Sequence, residues 1–312
     1  MIIRLGYVAI SKALNITSSG TITYTNYLKE ENKNEKLDKI IKSNLDNLEK
    51  ILNYNVKNNI HFYRLTSKLI PLATHKDVFF EYINKYKDYY DKISKIIDKN
   101  NMRVDVHPDQ FCVLNSTNKE TINNSIEILK YHINILEALK IKSPVIVLHT
   151  GSSVFGKEKS ITRFVNNFNK LPDNIKNSIV IENDDKIYNA SDVLNLCKKI
   201  NRPMVLDYHH HICNPCDNID DMLGKIFDTW KDIRPKVHFS SPKNKTKKDF
   251  RSHHDYINSD DFIQFIEKIK KYNVDIDVMI EAKAKDDALF RLVRELKYKT
   301  DYKFIDETSF EV

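Results

Sequence analysis

Eight short runs rich in β-branched residues punctuate this chain, and six of them end on, or carry near their end, a side chain able to hold a metal. The runs are Ile2–Tyr7, His61–Leu65, Arg103–His107, Val145–His149, Ile179–Glu182, Met204–Asp207, Lys236–Phe239 and Val278–Glu281. Between them, apolar residues recur at helical spacing, as in Leu37, Ile41, Leu45, Leu48 and Leu52, or Leu289, Leu292, Val293 and Leu296. A stripe from Phe79 through Ile83, Tyr86, Tyr90, Ile93 and Ile97 predicts a further amphipathic helix. Strand alternating with helix about eight times over 312 residues predicts an α/β fold, a single (β/α)8 TIM barrel spanning residues 1–312. A doubly wound open sheet is the alternative, but no G-x-G-x-x-G or Walker motif follows the first run.

Composition narrows the class further. A hydrophobic fraction of 41% supports a packed core, and 50 basic against 43 acidic residues give a formal net charge of +7, compatible with a polyanionic partner. Four cysteines do not make a disulfide scaffold, and Cys213–Cys216 is a C-x-x-C with no second pair to complete a zinc site. No apolar run approaches the roughly 18 residues of a membrane span, and MIIRLGYVAISKALN lacks a signal-peptide core, so a soluble intracellular protein is expected.

In a barrel the C-terminal strand ends converge at one mouth. That places His107, His149, Glu182, Asp207, His210, His238 and Glu281 together, with His254 in the long loop after the seventh run. Crowded carboxylates are costly without cations, and an imidazole–carboxylate mixture suits Zn, Mn or Fe, with more than one ion. Lys236 stands two residues before His238, so both side chains share one face of the strand. An ammonium about 4 Å from a divalent ion is repelled by roughly 8 kcal/mol at an effective dielectric of 20. Lys236 must turn away, become neutral, or be carboxylated into an anionic ligand. The loops around the mouth are basic, and Lys157, Lys159, Arg163, Lys243 and Arg251 are the expected phosphate contacts. His209 and His211, flanking His210, are expected to pack or to support it.

These motifs resemble the UV damage endonucleases, a family whose fold is similar to that of endonuclease IV. RLGY at Arg4–Tyr7, IPLATH at Ile70–His75, HPDQF at His107–Phe111, VLHTG at Val147–Gly151, IEND at Ile181–Asp184, LDYHH at Leu206–His210, PKVHF at Pro235–Phe239 and EAKAK at Glu281–Lys285 carry the resemblance. It implies a DNA repair nuclease, acting as a monomer on damaged double-stranded DNA, that nicks immediately 5′ to cyclobutane pyrimidine dimers, 6–4 photoproducts and abasic sites. Three divalent ions are implied, manganese first, with Zn2+, Mg2+ or Co2+ as alternatives. Their implied ligands are His107, His149, Glu182, Asp207, His210, Lys236, His238, His254 and Glu281, with Lys236 matching a lysine that can be carboxylated. Glu182, Lys236, His75 and Tyr7 are the implied catalytic residues, and Gln110 and Phe111 match a polar–aromatic pair that probes the lesion. Phe111 stands where the family usually has tyrosine, and Asp109 where it usually has glycine. The implied chemistry is metal-assisted phosphodiester hydrolysis, leaving a 3′-hydroxyl and a 5′-phosphate. Two rivals share the barrel: an abasic-site endonuclease of the endonuclease IV type, and a sugar isomerase.

Overall fold

The computed structural model describes residues Met1–Val312. Eight parallel strands are arranged in sequence order: β1 (Ile2–Val8), β2 (Phe62–Leu65), β3 (Arg103–Val106), β4 (Ile146–His149), β5 (Ile179–Glu182), β6 (Met204–Asp207), β7 (Lys236–Phe239) and β8 (Ile276–Ile280). The sheet closes because β8 returns to β1, with Leu5 opposite Val278 and Tyr7 opposite Ile280. Eight outer helices follow the strands in turn: α1 (Lys33–Lys57), α2 (Lys87–Lys99), α3 (Lys119–Ala138), α4 (Lys157–Phe168), α5 (Ala190–Ile200), α6 (Ile219–Asp228), α7 (Ser259–Lys270) and α8 (Asp286–Lys299). This is the single (β/α)8 barrel that the sequence predicts. A hairpin of β9 (Lys303–Phe304) and β10 (Ser309–Glu311) adds antiparallel to β1, pairing Ile3 with Phe310. No helix is long and apolar enough to cross a membrane.

Period-two alternation explains both faces of every strand. Ile3, Leu5 and Tyr7, Ile146 and Leu148, Ile179 and Ile181, and Val278 and Ile280 point outward into the layer between barrel and helices, and all are buried. Each such fully buried aliphatic side chain contributes about 1.5–3 kcal/mol. The helices supply the other half of that core and are started by their own sequence. Asn118, Asn189 and Asn258 cap α3, α5 and α7, and Asn189 forms a capping box with Asp192. Gly6 is required where β1 pairs closely with β2, since a Cβ there would lie 2.3 Å from the Phe62 carbonyl oxygen. The predicted stripe after β2 breaks at its start. Phe79 is fully exposed, and regular helix begins only at Tyr82.

The inward-facing residues lie in layers. Val145, Val147, Val180 and Val205 pack with Trp230, whose indole N–H donates to the Met204 carbonyl at 2.7 Å. Across the barrel the same depth is charged. Asp277 accepts from Arg4 at 2.7 Å and from Arg103 at 2.8 Å, and Lys236 Nζ lies 2.5 Å from Asp105.

Candidate metal centre

Directly above these layers, the next inward position on six strands carries a potential ligand. Three groups form, each with ligand atoms within 4.8 Å of one another: His107, His149 and Glu182; Glu182, Asp207 and His210; Asp207, His238 and Glu281. Glu182 belongs to the first two groups and Asp207 to the last two, so two carboxylates chain three groups into one cluster. His107 Nε2 lies 2.9 Å from Glu182 Oε2, and His238 Nδ1 lies 2.9 Å from Glu182 Oε1. His210 Nδ1 stands 3.5 Å from Glu182 and 3.6 Å from Asp207. Asp207 doubles as the cap of a short helix, Tyr208–Cys213, by accepting from the His210 backbone N–H at 2.7 Å. That turn is what brings His210 back over the strand end.

The electrostatics are those of a site short of positive charge. Burial works to raise the Glu182 carboxyl, but His238, His149 and His107 outweigh it and hold it well below the usual range. Asp207 goes the other way. Burial, against the pull of His210 and with repulsion from Glu182 and Glu281, pushes its carboxyl up to about 8. His210 is raised to about 9, because Asp207, Glu182 and Glu281 overcome the burial that opposes its charge. Protons are thus retained where the carboxylates crowd. The buried Asp207 Oδ2 and His149 Nδ1 have no hydrogen-bond partner, which such groups ordinarily have. A donor set of imidazoles and carboxylates with free lone pairs fits divalent transition ions.

Not every expected site residue joins this cluster. Lys236 is fully buried and its ammonium turns away from the cluster to Asp105 at 2.5 Å, the first of the three outcomes open to it in the sequence. Burial, opposed by Asp105, lowers its ammonium to about 7. Tyr7 is corrected. It shares the outward face with Ile3 and Leu5, its hydroxyl donates to Asn55 on α1 at 2.8 Å, and it is fully buried in the helical layer. His254 is exposed, with Nδ1 accepting from the Tyr256 backbone N–H at 2.9 Å. Its neighbour His253 faces the cluster instead, with ring centroids 6.3 Å from His210 and 5.7 Å from His209. An isolated bridge between Pro242 and His253 fixes that choice. His75 stacks on Tyr24 at 4.0 Å between ring centroids and is exposed no further than half on the β2–α2 loop.

One central residue escaped the sequence reading. Arg64, inward-facing on β2, places its guanidinium 2.5 Å from Glu281 Oε1, 2.5 Å from His238 Nε2 and 3.4 Å from Asp105. With Nε2 of His238 accepting from Arg64, Nδ1 carries the proton and donates to Glu182. The available signal was parity, since Arg64 stands on the opposite face from Tyr63 and Leu65 in a fully buried strand.

The rim carries the residues expected to meet DNA in varied settings. Gln110 and Phe111 are exposed at the loop tip after β3, Phe111 at 71%. Asp109 shapes that tip, accepting from the Phe111 backbone N–H at 2.9 Å. Lys159 is exposed, while Lys157, Lys243 and Arg251 make exposed ion pairs with Asp192, Asp249 and Asp185 at 2.6, 3.4 and 3.6 Å. Such exposed pairs contribute little to stability. Arg163 also braces the loops: its Nε and Nη2 donate to the carbonyls of Asn115 at 3.0 Å and Val154 at 2.6 Å and to Ser160 Oγ at 2.7 Å.

Comparison with known proteins points to one family. The family model described as UV-endonuclease UvdE matches residues 3–310. A UV DNA damage endonuclease of Bacillus cereus (strain G9842) is 42% identical over 303 residues, covering 95% of each chain. One from Bacillus mycoides (strain KBAB4) is 40% identical over 318 residues and covers 100% of both. Among solved structures, SacUVDE superposes with a TM-score of 0.86 at 35% identity, covering 95% of this chain and 98% of its own. Endonuclease IV from Thermus thermophilus (TM-score 0.57, 9% identity, 95% of this chain and 100% of its own) shares the fold alone. The chain belongs to the UV-endonuclease UvdE family.

Proposed function

We propose that this protein is a metal-dependent repair nuclease that nicks duplex DNA immediately 5′ to UV photoproducts, cyclobutane dimers and 6–4 products alike, and to abasic sites, leaving a 3′-hydroxyl and a 5′-phosphate. The observation that carries the reading is the chain of three donor groups bridged by Glu182 and Asp207 at the barrel mouth, beside an exposed polar–aromatic tip. Three divalent ions, manganese foremost, match three groups. His107 and His149 with Glu182 would hold one, Glu182, Asp207 and His210 a second, and Asp207, His238 and Glu281 a third. His253 lies beside the second group and takes the place expected of His254. When bound, such ions neutralise the scissile phosphate and lower the pKa of an attacking water.

The chain's own residues do the rest. Glu182, held ionised by three histidines, orients the attacking water in line with the bond to be broken. Arg64 and the Asp105–Lys236 pair hold His238 and Glu281 from beneath, so carboxylation of Lys236 requires it first to leave Asp105. Gln110 and Phe111 enter the duplex where a lesion has already weakened stacking, and selectivity follows from that lower cost of distortion. His75 lies on the loop flanking the same mouth.

The test is a labelled duplex carrying one dimer, incubated with the Mn2+-loaded protein beside matched abasic and undamaged duplexes. Nicking of the abasic duplex alone would select the abasic-site reading. Turnover of ketoses without salt-sensitive DNA binding would select an isomerase, a reading to which the exposed basic rim is opposed.

A further inference from the structure

The loop between β4 and α4 carries an exposed aromatic with no part in the chemistry at the metal cluster. Phe155 is 72% exposed and Val154 45%, on the loop that follows the cluster residue His149. Phe155 also has φ of +65°, a conformation that bulky side chains rarely adopt. An aromatic that is both strained and stripped of packing is not there for the fold.

The loop around it is fastened from several sides. Tyr188 donates to the Ser152 carbonyl at 2.8 Å, and the Asn115 side chain both donates to that carbonyl at 2.6 Å and accepts from the Ser152 N–H at 3.0 Å. Ser160 Oγ donates to the Val154 carbonyl at 3.0 Å, and Arg163 reaches the same carbonyl while also holding Asn115. Asn115 lies shortly after Phe111 in the chain, so one set of bonds fixes the roots of both aromatic-bearing loops. Gly151, at φ +103°, leaves the room in which the Asn115 side chain sits, since a Cβ there would lie 2.5 Å from its Oδ1. Lys157 and Lys159 stand exposed immediately beyond Phe155.

We propose that Phe155 is a second aromatic contact to DNA, stacking on a base at the distorted site while Phe111 enters from the neighbouring loop. The proposal rests on the damaged-duplex function proposed for the metal cluster. The alternation of a basic rim with exposed rings is how strands are held through both phosphate and base, because every base offers a π-face. The clamp by Asn115 and Arg163 makes the two rings a fixed pair, set before the duplex arrives.

The experiment measures fluorescence anisotropy of a dye-labelled duplex bearing one cyclobutane dimer, with Mn2+-loaded protein carrying Glu182→Gln so that no cleavage intervenes. Phe155→Gly suits the local backbone, so its thermal midpoint should equal or exceed that of the parent. Its dissociation constant for the dimer duplex should rise by roughly 5- to 100-fold, the range of one aromatic–base stack. Phe155→Trp should bind as the parent does, whereas Phe155→Leu, apolar but ringless, should lose affinity as glycine does. Unchanged affinity in Phe155→Gly, or full affinity in Phe155→Leu, overturns the proposal. Failure of the Phe155-containing parent to prefer the dimer duplex would instead overturn the functional reading on which it rests.

Discussion

The two sides of the barrel interior support the same kind of residue in opposite ways. Beneath His149, Glu182 and Asp207, two residues earlier on each strand, lie Val147, Val180 and Val205, packed on Trp230. Beneath His107 and His238 lie Asp105 and Lys236, with Arg64 reaching up to Glu281. The apolar side fixes its carboxylates by close packing, with no counter-charge below them. The charged side fixes its ligands by hydrogen bonds of defined direction, and carries a cation of its own at Arg64. On the proposed three-ion reading, the demand for added cations is therefore greatest on the packed side, where Glu182 and Asp207 each belong to two donor groups.

The largest effect expected is from Glu182→Gln, which removes the carboxylate common to two groups. Nicking should fall by on the order of a thousandfold or more while duplex binding is retained, checked by cleavage assay and anisotropy. Arg64→Met comes next, because it strands Glu281 and Asp105 without their shared partner. Urea unfolding should show a loss of about 3–5 kcal/mol at pH 7. Burial tends to raise the Glu281 carboxyl, but Arg64 and His238 depress it below the ordinary value of 4.5, so the stabilisation is present above that value and lost as pH falls. The deficit of Arg64→Met should accordingly be smaller at pH 4 than at pH 7.

Metal affinity should move with pH in the opposite sense to proton occupancy. Asp207 near 8 and His210 near 9 hold protons that ligands must lose, so affinity should rise by up to about tenfold per proton released for each pH unit between 6 and 8. Calorimetry in buffers of different ionisation enthalpy counts those protons, and a pH-independent affinity would contradict the crowding of carboxylates around Asp207. On the packed side, Val180→Ala should cost about 2 kcal/mol with a deficit that does not vary with pH. The smallest effect belongs to a double change. Asp105→Asn alone breaks a buried pair, whereas Asp105→Asn with Lys236→Met should restore stability to within about 1 kcal/mol of the parent.

Much of this was legible in the sequence because strand ends in a barrel are forced to one mouth. Runs that stop on His107, His149, Glu182 and Asp207 could hardly deliver them elsewhere. What failed did so for local reasons. Tyr7 was assigned by motif against its own parity, since Ile3 and Leu5 already marked its face as outward. His253 and His254 are adjacent in a loop without periodicity, where the Pro242–His253 bridge and backbone bonds of His254 to Ser241 and Lys283 set the course of the chain. Arg163 sits in a run of cations that looks uniform as sequence, while in space it also braces two loops through three oxygen acceptors and Lys159 stands exposed. The repulsion between the Lys236 ammonium and a nearby ion is legible in the sequence, but its partner Asp105 lies 131 positions away and across the barrel.

The most direct test of the central claim is a single-lesion duplex, labelled at one end, incubated with Mn2+-loaded protein and with the same protein after chelation. One product is expected, cut immediately 5′ to the dimer, formed by the loaded protein and absent after chelation and on undamaged duplex. Equal cutting of damaged and undamaged strands, or cutting that survives chelation, would contradict it.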